Sequence, residues 1–375
     1  MTLAATEMDR AWITAQRPPR SGAPDPFKPH GFFLEAERVA SGRVVSSATI
    51  LLTNKECPWR CLMCDLWKNT TTQTVPVGAI PQQIDFALSQ LGGNPEQIKL
   101  YNSGSFFDPA AIPLADYPAI ARILSGHIHA LHLPSPSPPS DGGEGRGEEE
   151  QLLPAKIPSP QPSPRPTGRG SGAQCENTLA GSLVKNLVVE SHPRLIGKKV
   201  LRLRDLLSGK LEVAMGLETI HPHVLPRLNK KFDLNHFATA VEFLRREKIS
   251  VRAFVLVKPP FLDEAEGLEW AVKSAAFAFE CGANVVSLIP TRAGNGAMEK
   301  LMATGEFAPP RLSTLENALE QVLKLDAGRV FADTWDLEKF SNCPACFEKR
   351  RQRLHAMNLS QNILPAIDCP ACGGT

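Results

Sequence analysis

The run Val44-Val-Ser-Ser-Ala-Thr-Ile-Leu-Leu-Thr53 leads, three residues later, into Cys57-Pro-Trp-Arg-Cys61-Leu-Met-Cys64-Asp-Leu-Trp67. The first ten residues are β-branched and apolar, the composition of a buried strand. A doubly wound sheet that binds a nucleotide would place a Gly-rich phosphate loop directly after its first strand. Cysteine follows instead, spaced C-x3-C-x2-C, in a loop at the strand's C-terminal end. Thiolates this close in sequence can converge on one inorganic centre. A [4Fe–4S] cluster is normally held by four cysteines, so three leave one iron open to a small chelating molecule. The alternatives are a zinc site, which needs a fourth protein ligand nearby, or unrelated cysteines.

Working outward, strand-like runs alternate with helix-like ones. Residues 97–101, 187–190, 211–218, 251–257 and 284–289 read as five more strands. Helices are expected near 81–91, 116–131, 198–208, 233–247 and 264–281. Ile84, Ala87, Leu88 and Leu91 share one helical face, between Pro81 and the Gly92-Gly93 stop; Phe237, Ala240, Val241 and Leu244 share another. Ser313-Thr-Leu-Glu316 reads as a capping box opening a helix through Leu325. Six strands, each followed by a helix, predict an α/β fold with parallel pairing and right-handed crossovers. In a barrel of this kind the βα loops carry the chemistry.

The chain has 375 residues and a net charge of +2, so its overall charge makes no argument for nucleic acid. Its 33 prolines and nine cysteines stand out. Ten prolines fall in residues 133–174, where Pro, Gly and Ser fill 23 of 42 positions. That segment buries too little apolar surface to offset its conformational entropy and is expected to be a disordered insertion. It follows a helix and precedes a strand, on the face away from the cysteines. The expected organisation is an N-terminal extension (1–42), a barrel core (43–327) interrupted by residues 133–174, and a Cys-rich extension (328–375). The first ten residues, Met1 to Arg10, carry acids and no apolar run follows them; no stretch is long and apolar enough to span a membrane. A cytoplasmic address is expected, with reduced thiols that bind metal rather than form bridges.

Cys343-Pro-Ala-Cys346 and Cys369-Pro-Ala-Cys372 repeat one tetrapeptide. Paired C-x2-C knuckles predict a closed four-ligand site for zinc or an auxiliary iron–sulfur cluster, serving as scaffold or electron relay. The basic run between them, residues 348–355, reads as a solvated helix face or as a contact for an RNA backbone. Cys175 and Cys281 are unpaired by spacing.

C-x3-C-x2-C after the first strand resembles the radical S-adenosylmethionine (radical SAM) superfamily. The resemblance implies a partial (β/α)6 TIM-type barrel whose core spans about residues 43–325 outside the insertion. It also implies that Cys57, Cys61 and Cys64 hold a [4Fe–4S] cluster and that S-adenosylmethionine chelates the open iron. Reduction would yield a 5′-deoxyadenosyl radical that abstracts a substrate hydrogen, with flavodoxin or ferredoxin as electron donor. Asn102-Ser-Gly104 takes the place of the family's Gly-Gly-Glu-like segment, which binds the methionine amino group, and lacks its Glu. Glu190 and Glu218, at the ends of the third and fourth strands, are placed for ribose, methionine or substrate, or for capping the next helix. Lys258 and Arg292 are candidates for neutralising an anion or are solvated loop cations; His192 is a candidate proton donor or a helix-entry residue. Met63 stands where the family commonly has an aromatic near the adenine. Cys57 to Asn69 together with Val188-Val-Glu-Ser-His-Pro-Arg194 resembles the archaeosine-biosynthesis branch, which implies a tRNA substrate. A small molecule or peptide as substrate, or a non-catalytic metal-binding interaction protein, are the other readings.

Overall fold

The computed structural model describes residues 8–20, 22–126 and 184–373. Residues 133–174, expected to be an insertion, and Cys175 lie outside the described residues.

Among the described residues eight strands form one sheet in chain order. β1 (Gly31–Arg38) and β2 (Val44–Leu51) make an antiparallel hairpin. From β2 onward every pairing is parallel, through β3 (Gln97–Tyr101), β4 (Asn186–Ser191), β5 (Lys210–Glu218), β6 (Ser250–Val257), β7 (Val285–Pro290) and β8 (Arg329–Ala332). The six expected strands are β2 to β7, and the sheet gains one more at each edge. α1 (Arg10–Ala15) precedes the sheet. α2 (Ala79–Gln90) follows β2, α3 (Tyr117–Leu124) follows β3, and α4 (Lys198–Arg204) follows β4. α5 (Val224–Arg227) and α6 (Leu234–Arg246) follow β5, and α7 (Glu264–Cys281) follows β6. α8 (Ala297–Ala303) and α9 (Leu312–Leu323) follow β7, and α10 (Pro344–Ser360) follows β8.

Strand parity assigns the two faces. Ile98 and Leu100 of β3, Leu211, Val213 and Met215 of β5, and Val251, Val255 and Val257 of β6 join the core under the helices. The alternate positions carry Lys99, Glu212, Arg252 and, on β1, Glu37. Arg252 bonds both Glu37 (2.6 Å) and Glu212 (2.7 Å), and Lys99 pairs with Glu35 (2.8 Å) and with Glu37. β1 and β6 are five positions apart in the sheet, about 24 Å if it were flat. The Arg252–Glu37 bond therefore requires the sheet to curl into a partial barrel with charged side chains filling its floor.

α10 packs against both β1 and β8, the two sheet edges. Its side-chain amides supply the hydrogen bonds that a further strand would. Asn358 exchanges two with Ala332 (2.8 Å each), and Gln361 exchanges two with Val330 (2.7 Å each).

One expected start signal is used otherwise. α9 opens at Leu312 after Arg311, not at a Ser313–Glu316 capping box. The Glu316 carboxylate is buried and bound by Arg350 (2.9 Å) and Arg353 (3.4 Å) of α10, so it is not free to turn back on its own helix.

Candidate active site at the strand ends

The cysteine loop leaves the C-terminal end of β2 with almost no regular structure of its own, and neighbours brace it from several directions. Asn229 donates to the Arg60 carbonyl (2.9 Å), and Leu62 N–H donates to the Leu228 carbonyl (2.9 Å). Asn295, after β7, donates to the carbonyls of Leu62 (2.7 Å) and Cys64 (3.2 Å). Gly104, after β3, lies against Cys57: a Cβ there would sit 3.0 Å from the Cys57 Cβ. Cys57, Cys61 and Cys64 are all partly buried, and burial pushes each thiol up to about 12. Binding a metal centre there must therefore displace protons. Met63 is partly buried and packs on two small apolar clusters, one around Ile13 and Met298 and one around Val224 and Leu262.

The structure brings Asn102, Ser103, Gly104 and Glu190 together. The Glu190 carboxylate accepts from the backbone N–H of Asn102 and of Gly104 (3.4 Å). Burial still pushes its carboxyl up to about 7 against the pull of these amides. Asn102 is fully buried, and neither atom of its side-chain amide has a hydrogen-bond partner among the described residues. Glu218, at the end of β5, is buried and paired with Lys230. Ser103, Glu218, Lys258, Arg60, Asn229 and Lys231 all adopt positive φ, between 53° and 66°. Each such residue costs about 1–3 kcal/mol and persists only where its surroundings impose it. Here they collect at one end of the sheet.

His192 takes the helix-entry alternative. Its Nδ1 accepts from Arg194 N–H (3.2 Å), which leaves Nε2–H to donate to the Lys230 carbonyl (2.9 Å). Burial depresses its pKa to about 3, and its ring stacks on Trp59 at 4.1 Å. It is a neutral brace with both nitrogens engaged, not a proton donor. Lys258 and Arg292 are not solvated cations: Lys258 is buried and paired with Glu264 (2.7 Å), and Arg292 with Asp333 (2.8 Å). Lys230, Asn229 and Asn295 are the residues sequence reasoning missed. Their only signal was position, in loops following parallel strands.

On its other flank the loop meets α1. Arg17 (2.6 Å), Arg20 (2.8 Å) and Arg60 (3.1 Å) share the single carboxylate of Glu56. Arg17 and Arg20 also lie over the Trp67 ring, at 4.7 and 5.7 Å. A cavity of about 670 Å³ opens there, lined by Arg10, Arg17, Arg60 and Glu56 among others. Three guanidinium groups on one carboxylate leave a local excess of positive charge.

The four C-terminal cysteines converge. The chain turns back after α10, and all four Sγ atoms lie within 4.8 Å of one another. Cys343–Cys369 measures 3.9 Å and Cys346–Cys372 3.7 Å. Ligands about 2.3 Å from one tetrahedral ion stand about 3.8 Å apart, a spacing that these four Sγ atoms match. The basic run is largely spent on structure: Arg350 and Arg353 are buried on Glu316, and Arg351 pairs with Glu348 (2.7 Å).

Fold and site together define a partial parallel α/β barrel with a braced three-cysteine loop at the C-terminal ends of its strands. No family model matches the chain. Its sequence is similar to the uncharacterized protein MJ0550 of Methanocaldococcus jannaschii, at 21% identity over 90% of this chain and 83% of that one. It is also similar to archaeosine synthase subunit beta of Methanosarcina acetivorans, at 26% identity over 50% of this chain and 56% of the relative. The same subunit of Thermococcus kodakarensis is 30% identical over 40% of this chain and 48% of the relative. The chain thus spans about half the length of these two subunits. Among solved structures, an N-terminally truncated Elp3 of Methanocaldococcus infernus gives a TM-score of 0.46 at 12% identity, over 76% of this chain and 59% of that one. No helix among the described residues is long and apolar enough to cross a membrane.

Proposed function

We propose that the chain is a radical SAM enzyme that acts on a tRNA base. The observation that carries this reading is the C-x3-C-x2-C loop at the end of the first parallel strand, with Gly104 against Cys57 and Glu190 fastened to the Asn102–Gly104 backbone. The donor set fits a [4Fe–4S] cluster with one open iron. Among the described residues no other cysteine is free to join it: Cys281 ends α7, and the other four gather near the C-terminus. Cys57, Cys61 and Cys64 would hold the cluster, and its chemistry there would be one-electron reduction of the sulfonium of S-adenosylmethionine to methionine and a 5′-deoxyadenosyl radical, which would take a hydrogen atom from the substrate.

The chain's own residues bind and orient. Asn102 offers an amide that is buried and unsatisfied, which favours a polar guest such as the methionine amino or carboxylate group. Glu190, Glu218 and Ser103 surround the same strand ends, and Met63 offers an apolar surface for the adenine. The braces from Asn229 and Asn295 hold the loop in place. A low-potential protein such as flavodoxin or ferredoxin would donate the electron.

Two observations support tRNA as substrate. The similarity to the two archaeosine synthase subunits is one. The other is the arginine excess beside the cysteine loop, since stacked guanidiniums suit phosphate. The C-terminal cysteines we assign to a structural zinc, whose tetrahedral ligand spacing they match.

Anaerobic reconstitution tests the assignment. The wild type should take up about four irons beyond its zinc, turn brown, and release 5′-deoxyadenosine when reduced. Cys61→Ala should lose both colour and cleavage. A Cys61→Ala protein that cleaves S-adenosylmethionine as well as wild type ends the reading.

A further inference from the structure

A buried cation whose backbone is tied to the cysteine loop is not used by the chemistry above. Lys230 is 8% exposed, and its ammonium donates to the Gly216 carbonyl (2.8 Å) and pairs with the Glu218 carboxylate. Several local costs hold the pair in place. Glu218, Asn229 and Lys231 take φ of 66°, 54° and 60°. The β5–β6 register slips between Gly216 and Glu218. A Cβ at position 216 would meet the Lys230 ammonium and the Glu218 carboxylate, so the pair lies directly over the Gly216 backbone. A salt bridge needed only for stability would not require this; buried pairs are weak stabilisers.

Lys230 is also tied to the loop at both ends of its own peptide. The preceding residue, Asn229, donates to the Arg60 carbonyl (2.9 Å). The Lys230 carbonyl receives His192, whose ring stacks on Trp59 between Cys57 and Cys61. These ties place residue 230 directly against the loop that carries Cys57 and Cys61.

We propose that Lys230 is an electrostatic positioning residue, whose ammonium, balanced by Glu218, sets how readily the centre held by Cys57, Cys61 and Cys64 accepts an electron. The inference rests on the cluster assignment above. Three thiolates leave such a centre negative, and reduction adds another negative charge. A nearby ammonium stabilises the reduced form more than the oxidised one, and a nearby carboxylate does the reverse.

The test is a midpoint-potential titration of the anaerobically reconstituted full chain, followed by electron paramagnetic resonance without S-adenosylmethionine. Lys230→Met should make reduction at least tenfold less favourable, a shift of about 59 mV to more negative potential. Lys230→Arg should stay near wild type, and Glu218→Gln should shift the other way. Opposite signs cannot come from a merely structural role. Equal or same-direction shifts in Lys230→Met and Glu218→Gln overturn the proposal. If Lys230→Met fails to hold a cluster, Glu218→Gln decides: a positive shift supports the proposal and no shift overturns it. A wild type that assembles no cluster overturns the cluster assignment and this inference together.

Discussion

At the scale of single residues, Glu190 shows two forces opposed on one group. Backbone amides of the 102–104 loop favour its anion, while burial favours the neutral acid and wins, lifting the carboxyl to about 7 from an ordinary 4.5. Because the folded value lies above the unfolded one, the protonated carboxyl favours folding. That contribution is complete below pH 4.5 and is lost as pH rises through about 7. Glu190→Gln removes the titration and keeps an acceptor oxygen for the Asn102 amide. In thermal melts of the cluster-free protein, the variant should gain on wild type steadily between about pH 5 and 8. Parallel melting curves would refute the assignment. Glu190 and Glu218 were legible in sequence because each is an acid ending an otherwise apolar strand. Lys230 was not: next to Lys231 in a short polar stretch it looks like any solvated lysine, and only the fold buries it.

At the scale of elements, periodicity located the strands and most helices because each buries one face or stripe. α6 buries Phe237, Ala240, Val241 and Leu244, the stripe its spacing predicts. α7 carries a reciprocal cap between Asp263 and Glu266 and ends at Gly282 in the left-handed region, φ 103°. β1 was hidden because its sequence, Gly-Phe-Phe-Leu-Glu-Ala-Glu-Arg, puts carboxylates where a core strand would have apolar residues. Those carboxylates face partners contributed by distant strands, which no local pattern encodes. The start of α9 fails for the same reason, since Glu316 is claimed by arginines of another helix. Removing it should be costly: Glu316→Ala takes away the buried carboxylate that Arg350 and Arg353 share, while Arg353 keeps Glu320 (2.6 Å). A loss of about 3–5 kcal/mol is expected in denaturant unfolding. A loss below 1 kcal/mol would mean that solvent reaches the pair.

At the scale of the whole molecule, the barrel has an ionic floor and an open seam. Across that seam lies α10, and behind it the chain returns so that Cys369 and Cys372 meet Cys343 and Cys346. The knuckles were legible in sequence from spacing alone; what they fasten was not. Arg353 bonds the returning chain at the carbonyls of Leu364 and Pro365 (3.2 and 2.7 Å), so helix and tail form one clamp. Chelation at neutral pH should release one zinc per chain and loosen that clamp, read as faster proteolysis after Ser360. An unchanged cleavage pattern would show that the arginines hold the tail without the ion. The clamp also bears on the protein's behaviour at high concentration. A strand as short as β8, stripped of Asn358 and Gln361, presents unpaired amides and carbonyls to any neighbouring molecule. With two side-chain amides seated on that edge, the end of α10 serves as a guard against strand-to-strand aggregation.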